Sequence, residues 1–592
     1  MIRSHTHGRR VVPLAVLTAL VAASAACGDG TSPDQRALDS FVAAVHSRDS
    51  GAAAAQTGDP RAATAGLRAS LDGMGDAVPT MTVGDADSAG TRPTTTVWRI
   101  RDGVDATTTG TVTVTGGHVQ WSPQVLDTRL QPGGRLLYSD DLDYTAPVVD
   151  RGGRPVMSWQ TVTLVNLAPT APASSADAVA DAVHAAAPSI TAADIRQAMA
   201  AAPGHDYTVV TLRADDVDPI RSRLAAIPGV TLPEQGRLLT ASRQLRSPAF
   251  GALPDIWQNM LRANAGWSVS VDNPQGAAAV ASGPGKLVDP LHTTLDGALQ
   301  QAAQRAVDTQ TRPAVVVALS PSTGGVLAVA QNRPADEQGP VALTGLYPPG
   351  STFKTVTTSA ALDAGVATAD DRLPCPGVAT VEGRTIPNED EFDLGTVPLH
   401  TAFAQSCNTT QAMLAVKLAP RALTDTAAAL GLGVDFVTPG LTTVTGKVPV
   451  TSGGAERVEA AIGQGAVLAS PFGMAVAEAS LANGGTMIRP SLLAGQAAKA
   501  DRNPEPLPQS TVSALRAMMR ETVASGTARS LRDIDGLGGK TGTAEVSGKP
   551  AHGWFVGIDG DVAFAAFIDG ADSSGPAVQM AGTFLRGADE TA

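Results

Sequence analysis

The strongest constraint on the fold is a pair of apolar runs, Ala314–Leu319 and Val326–Ala330, set around the turn-rich stretch Ser320–Gly325. Two such runs around a loop of this kind read as a β-hairpin. Just upstream, Thr293-Thr294-Leu295-Asp296 leads into an Ala/Gln-rich segment, predicted as a helix with Asp296 as its cap. The chain has 592 residues and is 43% hydrophobic, enough for sizeable cores. Aromatics make up only 4%, so Ala, Val and Leu must supply most of the packing. At about 100–200 residues per domain, the length predicts three or four domains.

The formal net charge is −13, and no basic patch or arm stands out, which argues against nucleic acid as a partner. Surplus acid keeps a surface soluble. There are three cysteines, Cys27, Cys375 and Cys407, which make neither a disulfide framework nor a metal-ligand cluster. The histidines also lack ligand spacing, so neither metal nor cofactor is expected. Lysine is scarce beside arginine, as suits a high-GC, actinobacterial-type composition. A lysine inside a motif is therefore less of a coincidence here.

The N-terminus carries Arg3, Arg9 and Arg10 before an apolar run from Val11 to about Ala26, the pattern of an export signal over residues 1–27. It ends in Ser24-Ala25-Ala26-Cys27, similar to a bacterial lipoprotein site in which Cys27 would be the point of lipid attachment. An uncleaved anchor helix and plain cleavage with release are the alternatives. Each puts the body of the protein outside the cytoplasmic membrane. A helix starting at a Ser32-Pro33 cap, then alternating stretches at Thr95–Arg101, Thr109–Thr115 and His118–Ser122, predict a small α+β domain over 31–135. Texture changes near Pro147, and a Gly/Pro/Ser-rich stretch, Ala281–Pro290, reads as a boundary. The expected division is a second domain over 140–285 and a third over 290–592.

The chemistry concentrates in the third. Ser351-Thr352-Phe353-Lys354 is the only Ser-x-x-Lys in the chain. It follows Pro348-Pro349-Gly350 and reads as a helix entered through a rigid turn, with Ser351 and Lys354 on one face. A serine needs a base to act as a nucleophile, and burial can lower a lysine's pKa enough to supply one. Ser406-Cys407-Asn408 sets a hydroxyl and an amide two residues apart. Ser406 is a candidate proton relay, and Asn408 a hydrogen-bonding partner of Lys354 and substrate. Cys407 reads as a small apolar core residue; as a nucleophile it would want a histidine, and His400 is the nearest in sequence. Lys540-Thr541-Gly542-Thr543 reads as a strand at the mouth of a hairpin, where backbone can pair with a peptide. Lys540, Thr541 and Thr543 suit a substrate carboxylate, and Gly542 lets substrate approach the backbone. Alone, each motif also fits a solvated helix face, an ordinary turn or a loop edge.

In this order, the three motifs match the Ser-x-x-Lys, Ser-x-Asn and Lys-Thr-Gly signature of penicillin-binding proteins and related β-lactamases. Ile462-Gly463-Gln464-Gly465, Ser470-Pro471 and Leu481-Ala482-Asn483-Gly484-Gly485 resemble further segments of that family. Pro147–Val156 resembles the opening of the pedestal, or dimerisation, domain of class B penicillin-binding proteins, with Gly152 where asparagine is usual. The first domain resembles the NTF2-like (MecA-N-like) domain at the front of some members, the alternative being an unrelated α+β module. The resemblance implies a multidomain α+β protein: an NTF2-like domain, an elongated pedestal, and a C-terminal serine β-lactamase/penicillin-binding transpeptidase fold. It implies a D,D-transpeptidase that acylates Ser351 with the penultimate D-Ala of a peptidoglycan stem peptide and passes the acyl group to a neighbouring amine. Lys354 is the implied base, and the amides of Ser351 and Thr543 the oxyanion hole. β-Lactams would acylate the same serine, and cell-division or elongation proteins would be its partners. A D,D-carboxypeptidase, a β-lactamase, a sensor and a catalytically silent division scaffold are the rival readings.

Overall fold

The computed structural model describes residues 32–101 and 103–589. The expected signal or anchor over 1–27, with Cys27, lies outside the described residues. No helix among the described residues is long and apolar enough to cross a membrane. The chain forms two compact units, one of residues up to 141 together with 265–285, the other of 142–264 together with 286–592.

The first unit begins with the helix Pro33–His46, where Ser32 caps the N-terminus by accepting from Gln35 N, as the Ser-Pro signal predicts. The helices Pro60–Gly73 and Pro33–His46 contribute Leu67 and Phe41 to a core that also holds Trp98, Val269 and Val271. The strands Val78–Val83, Thr91–Arg101, Val104–Thr115 and His118–Val119 form an antiparallel sheet in chain order. The first unit ends at Gly285, inside the boundary expected near Ala281–Pro290, but the residues before that boundary are assigned differently. The hairpin Gly266–Asn273/Gly276–Gly283 belongs to this unit, because its first strand pairs antiparallel with Arg135–Asp141. Residues 140–285 are therefore not one continuous domain. Val269 and Val271 complete the first unit's core, a long-range pairing that local sequence does not encode.

In the second unit, the long strand Pro155–Leu167 is the spine of a mixed sheet, with helices Ala173–Val183 and Ala192–Ala201 packed over Val165, Leu167 and Leu212. The turn at Asp150-Arg151-Gly152-Gly153-Arg154 is built on one buried carboxylate. Asp150 Oδ1 accepts from Gly152 N and Arg154 N at 2.8 and 2.9 Å, and Oδ2 accepts from Gly297 N at 3.3 Å. Gly297 opens the helix Gly297–Asp308 (α1), capped by Asp296, and Arg151 pairs with Asp296 at 2.9 Å.

The predicted hairpin is present as Ala314–Leu319 (β1) and Val326–Gln331 (β2). It joins Gly538–Val546 (β3), Lys549–Asp559 (β4) and Val562–Ile568 (β5) in a sheet of order β2-β1-β5-β4-β3, every neighbour antiparallel. Alternate residues of a strand face opposite sides, and here both sides are dry. Val315, Val317 and Leu319 enter one core, and Ala314, Val316 and Ala318 enter another. The first core is covered by helices Lys354–Asp363 (α2), Pro471–Ala482 (α5) and Gln509–Ala524 (α6), the second by α1 and Gly575–Asp589 (α7). That is why the runs are apolar throughout instead of alternating. Between α2 and α5, Leu399–Ala404 (α3) and Asn408–Ala415 (α4) flank the second motif. The expectation of no disulfide framework needs one amendment: Cys375 and Cys407 are disulfide-bonded across 32 residues. Their 6.2 Å Cα separation is set by the fold, not by spacing.

Candidate active site

Ser351 lies in a tight 3-10 turn, Gly350–Phe353, that runs directly into α2. The turn is fixed on three sides. Gly350 N donates to Gly463 O at 3.0 Å, Trp554 Nε1 donates to Pro348 O at 3.0 Å, and Thr352 Oγ1 donates to Pro349 O at 2.7 Å. Two glycines allow the turn to lie on β3. Gly350 has φ +54°, and a Cβ there would come within 2.5 Å of Thr543 O. A Cβ on Gly542 would meet Thr352 Cγ2 at 2.8 Å and Pro349 O at 2.9 Å. At Gly542 the side a Cβ would occupy is filled by the serine's own turn.

The motif side chains converge. Lys354 Nζ donates to Ser406 O at 2.7 Å and to Asn408 Oδ1 at 2.5 Å, and lies 3.2 Å from Ser406 Oγ. Asn408 Nδ2 donates to Pro387 O at 2.9 Å, which sets the amide's orientation. Lys540 Nζ donates to Ser406 Oγ at 2.9 Å and to Thr541 O at 2.9 Å, and stands 5.7 Å from the centre of the Phe403 ring. Ser406 Oγ thus lies between the two lysines. Ser351, Ser406, Asn408, Thr541 and Thr543 line one cleft of about 1100 Å³, while Lys354 and Lys540 are fully buried. The hydroxyl of Ser351 has no hydrogen-bond partner among the described residues.

Burial is the main electrostatic cause at both lysines, since it penalises the charged form. It holds Lys354 well below the ordinary lysine range, helped by the positive charge of Lys540 and opposed by Glu389. Lys540 is brought down to about 7 by burial, again opposed by Glu389. The downward shift favours the uncharged amine, the form whose lone pair can accept a hydroxyl proton.

Several neighbours were not singled out from sequence. Thr527 Oγ1 lies 2.7 Å from Thr541 Oγ1, and Ser574 N donates to Thr543 Oγ1 at 3.2 Å. Glu389 lines the cleft, and Asn388 binds the second motif from behind. None belongs to a motif, and each reaches the site from a distant segment. His400, the histidine weighed as a partner for Cys407, hydrogen-bonds Glu521 at 2.6 Å, and Cys407 is committed to its disulfide.

The penicillin binding protein transpeptidase domain family matches residues 314–584. Peptidoglycan D,D-transpeptidase PbpA of Mycolicibacterium smegmatis is 31% identical over 350 residues, covering 48% of this chain and 68% of that protein. PbpA of Mycobacterium tuberculosis is 31% identical over 236 residues, covering 34% of this chain. The chain spans about half the length of this second relative, 48%. The solved ceftriaxone acyl-enzyme of penicillin-binding protein A from M. tuberculosis aligns with a TM-score of 0.47 at 26% identity, covering 52% of this chain and 81% of that one. The family match spans β1 to α7, the same stretch in which three separated motifs meet around Ser406 Oγ. The chain belongs to the penicillin-binding protein transpeptidase family.

Proposed function

We propose that this protein is a serine D,D-transpeptidase that cross-links peptidoglycan stem peptides through an acyl-enzyme on Ser351. The observation that carries the reading is the placement of Ser406 Oγ, 3.2 Å from Lys354 Nζ and 2.9 Å from Lys540 Nζ, in the cleft that Ser351 lines. Neutral Lys354 takes the proton of Ser351 as its Oγ attacks the carbonyl carbon of the penultimate D-Ala. The oxyanion is held by the amides of Ser351 and Thr543. As the C–N bond breaks, Ser406 passes a proton from Lys354 to the departing D-Ala amine. An amine from a neighbouring stem peptide then attacks the ester and regenerates Ser351. Lys540, Thr541 and Thr543 hold the terminal carboxylate, and Asn408 orients Lys354. A β-lactam enters by the same first step.

The rest of the molecule is read in the same frame. The first unit is an NTF2-like spacer or docking module, and residues 142–264 are a pedestal. Residues 1–27 export the chain and tether it to the outer face of the membrane, through lipid on Cys27 or as an anchor helix. There it would meet division or elongation proteins. Intact-mass measurement with and without penicillin, beside Ser351→Ala, tests the catalytic core of this reading. A stable one-to-one adduct on the wild type, absent from the variant, is expected. An adduct that clears within minutes while hydrolysed drug accumulates would make the protein a β-lactamase instead. No adduct at all would favour the silent scaffold.

A further inference from the structure

Ser406 is the one non-glycine residue of the three motifs with its backbone in the left-handed region, at φ 61°. It occupies the position where a glycine commonly closes a helix. Ser406 N donates to Phe403 O at 2.9 Å and Cys407 N to Ala402 O at 2.8 Å, the paired bonds that end α3. A side chain is disfavoured there, so the conformation persists only if the surroundings over-determine it. Two features do so. The first is the buried Cys375–Cys407 disulfide. It ties the residue next to Ser406 to the strand Arg372–Cys375, which pairs with Gly395–Pro398. The second is Asn388, 2% exposed. Its Oδ1 accepts from Asn408 N and Thr409 N at 2.8 and 3.2 Å, capping α4 from a separate segment. Its Nδ2 donates to Pro376 O and Phe392 O at 2.9 and 2.8 Å.

We propose that Asn388 and the Cys375–Cys407 disulfide are positioning groups for the acylation of Ser351, and that the rate of acylation depends on the oxidation state of this cysteine pair. Neither touches the reacting atoms. They hold Ser406 in the conformation in which its hydroxyl reaches both lysines and its carbonyl orients Lys354. Reduction by a dithiol converts the bond to two thiols, with the reductant leaving as its cyclic disulfide, and frees the chain after Ser406. Reoxidation by a glutathione disulfide transfers two electrons and two protons to it and restores the bond. The proposal rests on the transpeptidase reading, in which Lys354 and Ser406 move the protons.

The test is stopped-flow acylation of the full chain by a fluorescent penicillin over a range of concentrations. This separates the acylation rate constant from the dissociation constant of the preceding complex. Wild type would be compared oxidised, prepared reduced and then reoxidised, beside Asn388→Ala and the Cys375→Ala/Cys407→Ala pair, with circular dichroism and a melting curve for each. The expected result is a rate constant at least about tenfold lower in the reduced protein and both variants. The dissociation constant should stay within about twofold, and reoxidation should recover the rate. Equal rates in the oxidised and reduced folded proteins would overturn the proposal. So would a loss confined to the dissociation constant, or one that only tracks the folded fraction. A wild type that forms no adduct in either state would instead sink the underlying transpeptidase reading.

Discussion

At the scale of single residues, the site depends on two lysines that the fold has removed from water. Lys354→Ala is expected to slow acylation by about 10²–10⁴-fold, the usual worth of a positioned base. Intact-mass time courses with penicillin would show it, and near wild-type acylation would remove Lys354 from the base role. Lys540 sits near neutrality, at about 7, because burial disfavours its charge. Its positive charge is lost as pH rises through that value, so second-order acylation by a carboxylate-bearing β-lactam should decline above it. Lys540→Arg keeps its charge across this range and should flatten the decline; an unchanged profile would show that another group titrates. Glu478, on α5, offers a separate check. It is fully buried with neither carboxyl oxygen hydrogen-bonded, and burial pushes its pKa up to about 8. The folded state therefore holds a proton that the unfolded state releases from about pH 4.5 upward, so stability falls as pH rises from there to about 8. Glu478→Gln should raise Tm by on the order of 5 °C near pH 8 and far less near pH 4.5. An equal shift at both pH values would contradict this.

At the scale of elements, the contact that matters most is the turn Gly350–Phe353 lying on β3. Its closeness depends on backbone with no side chain between. Gly542→Ala would press a methyl group into Thr352 and Pro349 O. Overpacking of this kind costs about 1–3 kcal/mol. The expected outcome is a lowered Tm together with slower acylation, since relief of the clash moves Ser351 away from Thr543. A variant that acylates at the wild-type rate would show that the turn adjusts freely. The elements were legible where local rules suffice. Asp296 caps α1 as expected, and β1 and β2 fall on the two apolar runs. The start of α2 was legible only roughly, because a 3-10 turn and an α-helix share nearly the same short-range pattern. Strand pairing was less accessible still. Gly266–Asn273 carries Val269 and Val271 in an alternation that fits either neighbouring domain, and only its register with Arg135–Asp141 assigns it.

At the scale of the whole second unit, the segment Asp150–Arg154 ties residues before the catalytic region to the start of α1 through one carboxylate. Asp150→Ala would leave the N–H groups of Gly152, Arg154 and Gly297 without that acceptor, at a cost of about 1–3 kcal/mol. Tm should fall while the protein at saturating penicillin is still fully acylated, because Asp150 does not line the cleft that holds Ser351. Loss of acylation in the folded variant would show instead that this segment shapes the site. The Asp-Arg pair was legible as a motif, but its partner Asp296 was read only as a helix cap, and the ion pair between Arg151 and Asp296 became apparent only with the chain folded.

The amino-acid sequence alone determined the candidate motifs and their order, Ser351, Ser406 and then Lys540. It could do so because each motif is short, and a helix turn or a strand sets its internal spacing. Only the tertiary structure decided what each group faces. The burial of Lys354 and Lys540, the left-handed backbone of Ser406, the Cys375–Cys407 bond and the capping of α4 by Asn388 all depend on contacts between segments tens to hundreds of residues apart. No local propensity encodes such contacts. They follow from closing both faces of the β1–β5 sheet with apolar side chains, which brings the three motifs together at one edge, where their polar groups bond one another and the neighbouring segments.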